Sequence, residues 1–261
     1  MSDARPAAPG GVELAREIFP RGLCRADGEM GLGLDGLLLA AFAGLHIAGQ
    51  VKRQGVCVEL GTGSGGALLA LALDLPEISG LGLEVQPQLV DAAKENALRL
   101  GLEGRIKFAC LDLANVKAGA HLAVMANPPY GARGEGRAST SALREQAMRP
   151  EGNALAVFCR AGARLLGHHG RFFCIYQASR LPGLLSELDK NSLGARLALP
   201  VAPFAQSQAS RVLLLAMKGA APELALLPPL ILHEGSRGEN RSVRWTAQAL
   251  NFCPRLACGR L

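Results

Sequence analysis

The sequence predicts an α/β fold in which parallel strands alternate with helices. Three observations carry that expectation. The β-branched apolar run Val56–Leu60 passes straight into a glycine turn, 61–66, and then into an Ala/Leu-rich helix, 67–73. Four strand-type runs in succession end in a polar residue at one edge: Glu59 with Gly61, then Glu84, Asp112 and Asn127. The chain has 261 residues, 49% of them hydrophobic, which suits one domain with a substantial core and a small appendage.

Residues 1–11 are polar and proline-rich, with no signal-peptide core, and are expected to be a disordered tail. Residues 12–50 form a lead-in, with a hairpin possible between the Pro and Gly breaks of 12–34 and an apolar helix from Leu37 onward. Asp35 stands ahead of that helix as an N-cap, or as a residue that also borders a cofactor pocket. Residues 51–219 are the main domain, and 220–261 an extension packed on or near it.

Within the domain, the glycines of 61–66 permit a tight turn and a close approach of ligand to backbone. The second strand, 81–85, ends at Glu84, 21 residues beyond Gly63. An acid at that distance is placed to grip a ribose diol; the alternative is a surface residue at a strand end. A helix over 87–100 turns Leu89, Ala93, Ala97 and Leu100 to one face. The third strand, 106–111, ends at Asp112, which can accept from an adenine amino group or simply cap the next turn.

The fourth strand, 122–126, delivers Asn127-Pro128-Pro129-Tyr130. A proline pair after a strand can be only a turn. These residue types also suit methyl transfer to a planar exocyclic nitrogen, whose lone pair is delocalised and poorly nucleophilic. The Asn127 side-chain oxygen and the Pro128 carbonyl can accept from both N–H groups and favour the reactive pyramidal form. The prolines stiffen that carbonyl, and Tyr130 offers a flat face for stacking.

The loop 131–152 carries Arg133, Arg137, Arg144 and Arg149; it is either a solvated tether or a lid that touches nucleic-acid phosphates. A helix over 153–167 follows, with His168-His169-Gly170 as a turn and the fifth strand at 171–176. A helix over 180–190 and strands at 195–201 and 211–218 complete the domain.

The net charge of +6 suits a polyanionic partner, although compositional bias accounts for an arginine excess equally well. Of the seven cysteines, Cys57, Cys110 and Cys174 fall in apolar runs and are expected in the core; neither metal nor disulfide is expected, which points to a cytoplasmic setting. Apolar stretches fall short of the roughly 20 residues a membrane span needs. A monomer or homodimer is expected.

With strand, glycine turn, two acids and N-P-P-Y in this order, the chain resembles class I S-adenosylmethionine-dependent methyltransferases of the amino-methylating group. Such a resemblance implies a Rossmann-like, doubly wound, seven-stranded sheet with helices on both faces and its last strand antiparallel. Within the group it is most similar to the bacterial valine-tRNA adenine-37-N6 methyltransferase family. Residues 35–40, 84–88, 127–130, 170–177 and 227–233 carry the likeness. It implies S-adenosylmethionine as cofactor, held by Asp35, Glu59, Gly61, Thr62, Gly63, Glu84, Val85, Asp112, Leu113 and Asn127, and tRNA as partner. Asn127, Pro128 and Tyr130 would hold the target adenine. Two positions depart from relatives: Gly131 stands where an aromatic is frequent, and Glu59 where Asp is frequent. Two competitors remain. A protein glutamine-N5 methyltransferase uses the same N-P-P-Y, but only about 50 residues precede the glycine turn, few for a sizeable helical recognition domain. A non-catalytic RNA-binding protein on the same fold is the other.

Overall fold

The structure, a computed structural model, describes residues 9–24, 33–49, 56–129, 154–236 and 244–258. Strands β1 (Val56–Leu60), β2 (Ser79–Glu84), β3 (Ile106–Cys110), β4 (His121–Ala126), β5 (Leu166–Gln177), β6 (Leu193–Ala202) and β7 (Arg211–Lys218) form one sheet in the order β3-β2-β1-β4-β5-β7-β6. Strand β7 runs antiparallel to both β5 and β6. The sheet reverses its winding between β1 and β4, which makes the carboxyl ends of those strands the topological switch point. The seven-stranded expectation holds for this core. The extension adds β8 (Ala225–Leu226) and β9 (Leu230–Ile231), both parallel to β6. They are two residues each because prolines 228 and 229 remove the donors a longer strand needs.

Helices cover both faces. One face packs α2 (Leu34–Ile47), α3 (Gly66–Asp74), α4 (Pro87–Arg99) and α7 (Ala247–Phe252) over Cys57, Ile106, Met125, Phe173 and Leu213. The other packs α5 (Ala154–Leu165) and α6 (Leu181–Lys190) over Val58, Leu60, Val124, Phe172 and Leu214. Neighbouring strand residues divide between the two cores, Cys57 with Val58 and Phe172 with Phe173, as the two-residue period of a strand requires. Burial on both faces explains why the central strands read as unbroken apolar runs.

Several expectations are corrected. A helix, α1 (Pro9–Ile18), takes up the end of the expected disordered tail and the start of the lead-in, where a hairpin was possible. Its Val12, Ala15 and Ile18 recur at helical spacing, and Arg16 donates its Nε to the Leu100 carbonyl at 2.7 Å, tying α1 to the end of α4. Gly33, not Asp35, is the N-cap of α2, and no side chain caps it. Asp35 sits in the first turn and pairs with Arg211 on β7, Nε to Oδ2 2.9 Å. An ion pair to a distant strand outcompeted the local bond that a cap would make.

His168 and His169 lie within β5 rather than in a turn between elements. His121 pairs with Leu166 but Ala123 with Arg171, so three extra residues of β5 bulge out, with His169 at φ 59°. Cys110 is exposed, because it closes the edge strand where the covering helices run out. Among the described residues, no helix is long and apolar enough to cross a membrane.

Gly82 on β2 is a packing constraint. A Cβ there would come within 2.4 Å of the Phe108 ring and 2.8 Å of Thr62 Cγ2. Overpacking a filled interior costs about 1–3 kcal/mol. Gly82→Ala is expected to lower the denaturation free energy by about that amount, read from the urea midpoint; an unchanged midpoint would show that the ring and turn move aside freely.

Candidate active site

The register of the parallel strands builds the site. Leu60 pairs with Leu83 on one side and with Ala126 on the other. The next residues in each strand, Gly61, Glu84 and Asn127, therefore form one row across three neighbouring strands spaced about 4.8 Å apart. Glycine turn, acid and amide are brought to one line, at the edge where open α/β sheets bind ligands.

The turn itself is backbone with little side chain. Gly61, Gly63 and Gly65 have φ of 60°, 56° and 87°, in the left-handed region that favours glycine. Gly61 and Gly65 have no room for a side chain either, with Phe158 Cζ 2.9 Å and Phe108 Cζ 2.7 Å from an added Cβ. Backbone bonds shape it, Thr62 N to the Leu83 carbonyl at 3.1 Å and Gly65 N to the Thr62 carbonyl at 2.9 Å, and two carboxylates brace it further. Glu59, on β1 below the turn, accepts through Oε2 from Thr62 Oγ1 at 2.6 Å and from Leu68 N at 3.0 Å. Leu68 is in the first turn of α3, whose N-cap Gly65 offers no side chain. Glu59 thus caps α3 from the neighbouring strand, and its charge suits the positive end of that helix.

Glu84 closes the turn from the other side. Its Oε2 accepts from Gly63 N at 3.1 Å, and Oε1 from Val85 N at 2.8 Å and Gln86 N at 3.1 Å. Two carboxylate oxygens offer about four acceptor positions, so with three filled about one is left for a ribose hydroxyl. Val85, beside it, is 46% exposed, an uncommon position for a valine at the end of a buried strand. A flat apolar ring lying on it would remove that surface from water.

The remaining expected residues divide. Asp112 accepts from Ala114 N at 2.9 Å and caps the short 3-10 turn 113–115, as the capping alternative expects. Leu113 is half-buried in that turn. Asn127 is half-buried, Pro128 buried and Pro129 exposed. Asp35 holds α2 to β7 through Arg211. Tyr130, Arg133, Arg137, Arg144 and Arg149 lie outside the described residues.

One residue escaped the sequence reading. Asn96, fully buried on α4, accepts from Cys24 N at 2.6 Å and donates Nδ2 to the carbonyls of Cys24 and Ser64, each at 3.0 Å. It joins the lead-in to the glycine turn. The available signal was an asparagine beside Ala97 and three residues after Ala93, on the apolar side of an amphipathic helix. Asn96 also lines a cavity of about 210 Å³ between α1 and α4, away from the strand ends.

Burial pushes the Glu59 carboxyl up from 4.5 to about 7; the bonds from Thr62 and Leu68 oppose that rise, and the Glu84 charge adds to it. The proton has a place on Oε1 while Oε2 keeps both bonds.

This sheet order, with a glycine turn after β1 and an acid after β2, defines the class: a class I methyltransferase fold, whose cofactor is S-adenosylmethionine. Residues 37–166 match the family model described as RMKL-like, methyltransferase domain. A predicted O-methyltransferase from Agrobacterium tumefaciens superposes with TM-score 0.66 at 19% identity, covering 85% of this chain and 96% of that one. A Listeria monocytogenes protein assigned as a class I S-adenosylmethionine-dependent methyltransferase gives 0.56 at 18%, covering 76% and 68%.

Two types of relative are similar in sequence. A tRNA1(Val) (adenine(37)-N6)-methyltransferase of Porphyromonas gingivalis is 30% identical over 164 residues, 59% of this chain and 62% of that one. A release factor glutamine methyltransferase of Rhodospirillum rubrum is 47% identical over 76 residues, 29% of this chain and 23% of that one. The chain spans less than two thirds of the length of either.

The Glu59 shift predicts a pH effect. A carboxyl with a raised folded pKa contributes stability below its unfolded value and loses it as pH rises through the folded one. Wild-type protein should therefore lose stability relative to Glu59→Gln between pH 4.5 and about 7, with a constant offset outside that window. Chemical denaturation of both proteins across the window measures it, and parallel stability curves would refute it.

Proposed function

We propose that this chain transfers a methyl group from S-adenosylmethionine to the exocyclic N6 of an adenine in RNA, with an anticodon-loop adenosine of tRNA as the target. The observation that carries the proposal is the row Glu84–Gly61–Asn127, which sets an amide acceptor one strand from the cofactor turn. The residues fit the cofactor. Gly61 and Gly63 leave bare backbone for its methionine portion, Glu84 faces the ribose position, and Val85 supplies an apolar surface for its adenine.

The cofactor supplies an electrophilic methyl on a sulfonium. Asn127 accepts one N6 hydrogen through its side-chain oxygen, and the Pro128 carbonyl accepts the other. Both bonds strengthen as the nitrogen pyramidalises, so they act on the transition state more than on the bound base. With that donor bound, N6 would take the methyl, the sulfur would keep the bonding pair as a neutral thioether, and N6 would release its proton to water. The positive charge reached on N6 makes that proton acidic, so no strong general base is required. Pro128 is buried, which holds its carbonyl without water competing at its back. Tyr130 stacks on the base in this reading. The base must leave its stack to enter, which a loop allows more readily than a duplex.

A second reading has its own support: matches to release factor glutamine methyltransferases, where a glutamine amide would take the place of the adenine amine. The longer shared span with tRNA-acting relatives and the net charge of +6 favour RNA. Exposed Arg160 and Arg164, on successive turns of α5, are available to phosphates.

The test offers labelled S-adenosylmethionine with unmodified tRNA, duplex DNA or a protein lysate, followed by digestion and mass analysis. N6-methyladenosine from tRNA is the expected product; label in glutamine selects the second reading; no label with cofactor still bound indicates a fold that has kept its pocket without the chemistry. Asn127→Ala should lower kcat by about 10²–10³-fold, the usual loss for one transition-state hydrogen bond. Calorimetric binding of S-adenosylmethionine should change little. Equal losses in binding and turnover would instead assign Asn127 to the cofactor alone.

A further inference from the structure

We propose that Phe204, His233 and Trp245 form a stacking platform for an unpaired base of the RNA, flanking the base that enters the site. This rests on the RNA reading above. The three rings come from separate segments. Phe204 is in the connection 203–210 between β6 and β7, His233 follows β9, and Trp245 precedes α7. His233 and Trp245 are stacked, with centroids 4.5 Å apart and planes at 28°. Phe204 lies 5.7 Å from His233 at 48°. His233 forms the middle layer; Trp245 also packs against the core, and Phe204 has a side that the trio does not cover. All three are half-buried.

The position suits a nucleic acid on its way to the strand-end row. Strand β6 runs parallel to β4 and β5, so Phe204 emerges at the same edge of the sheet as Asn127. Three inter-strand steps separate them, about 14 Å along the edge. Arg244, exposed and adjacent to Trp245, is placed for a phosphate. Burial holds His233 below the usual imidazole range, so the middle layer is uncharged at neutral pH.

The stack is more than a clasp for the extension, because other groups already hold that segment. Thr246 Oγ1 donates to the Ile231 carbonyl at 2.6 Å and accepts from Ala249 N at 3.0 Å. Gln248 bonds both Ile231 N and the Pro229 carbonyl, and Arg255 pairs with Asp74 at 2.6 Å. The chain also places its aromatics sparingly. Six of its eight phenylalanines are buried (19, 42, 108, 158, 172 and 173), whereas Phe204 is kept half-open beside the sole tryptophan. Half-open rings at the mouth of a basic protein are the usual surface for unpaired bases, which stack with little regard to sequence.

The sole tryptophan makes the test direct. Tryptophan fluorescence of the full chain is followed while adding an unmodified anticodon stem-loop, the same stem-loop with abasic residues flanking the target adenosine, or inorganic polyphosphate. Quenching is expected with the first, less with the second, and none with polyphosphate. Equal quenching by polyphosphate, or none by any RNA, overturns the platform. In methylation assays Trp245→Leu, which keeps apolar packing but loses the flat face, should raise KM for RNA about tenfold, with the loss mainly in KM. Trp245→Phe should recover most of that loss. Phe204→Leu, which leaves the reporter in place, should weaken the quench. If wild type forms N6-methyladenosine while fluorescence and the Trp245→Leu KM do not move, the platform falls and the function stands. If label appears only in protein and no RNA quenches, both fall.

Discussion

A backbone turn with almost no side chains cannot hold its own shape, and this site depends on how that problem is solved. Gly61 and Gly65 must be bare, because Phe158 and Phe108 press against them. Backbone carbonyls hold the amides of Thr62 and Gly65, and carboxylates from β1 and β2 brace the rest. Glu59 fixes Thr62 and the first turn of α3, and Glu84 fixes Gly63. Burying Glu59 is costly, as its raised pKa records. Glu59 is thereby the cap that α3 lacks.

Around that turn the sheet acts as a ruler. Parallel pairing in fixed register makes the residues after Leu60, Leu83 and Ala126 neighbours, although they are distant in the chain. Packing on both faces holds the register, since a one-residue slip would exchange the two cores. The proposed chemistry then needs only an acceptor pair after β4, the role given to the Asn127-Pro128 step.

Asn96 and Asp35 extend the same logic outward. Asn96 reaches from α4 to both the Ser64 carbonyl and Cys24, so the lead-in and the turn share one buried anchor. Asp35 and Arg211 join α2 to β7 near the far end of the row. In each case a polar group pairs with a partner far away in sequence. Short-range rules assigned Asp35 to the nearest task, a helix cap, and passed over Asn96 as part of an amphipathic stripe. The bulge at His168–His169 was hidden for a similar reason: a His-His-Gly sequence looks like a turn until β4 pairs with residues on both sides of it.

The sequence by itself determined the alternation of strand and helix, the glycine turn, the acids after the first two strands and the Asn-Pro-Pro step. Each depends on local physics: apolar periodicity, the positive φ that glycine tolerates, and the stiffness of proline. What only the tertiary structure decided is which of those groups meet and what each one holds. That Glu59 lies beneath the turn, that Asp112 caps its own loop, that Asn96 spans two segments, and that Phe204, His233 and Trp245 gather at the far end of the same edge all depend on strand register and on contacts between residues far apart in the chain. No local pattern encodes such pairings, because the energy that selects them arises only when both cores are packed at once.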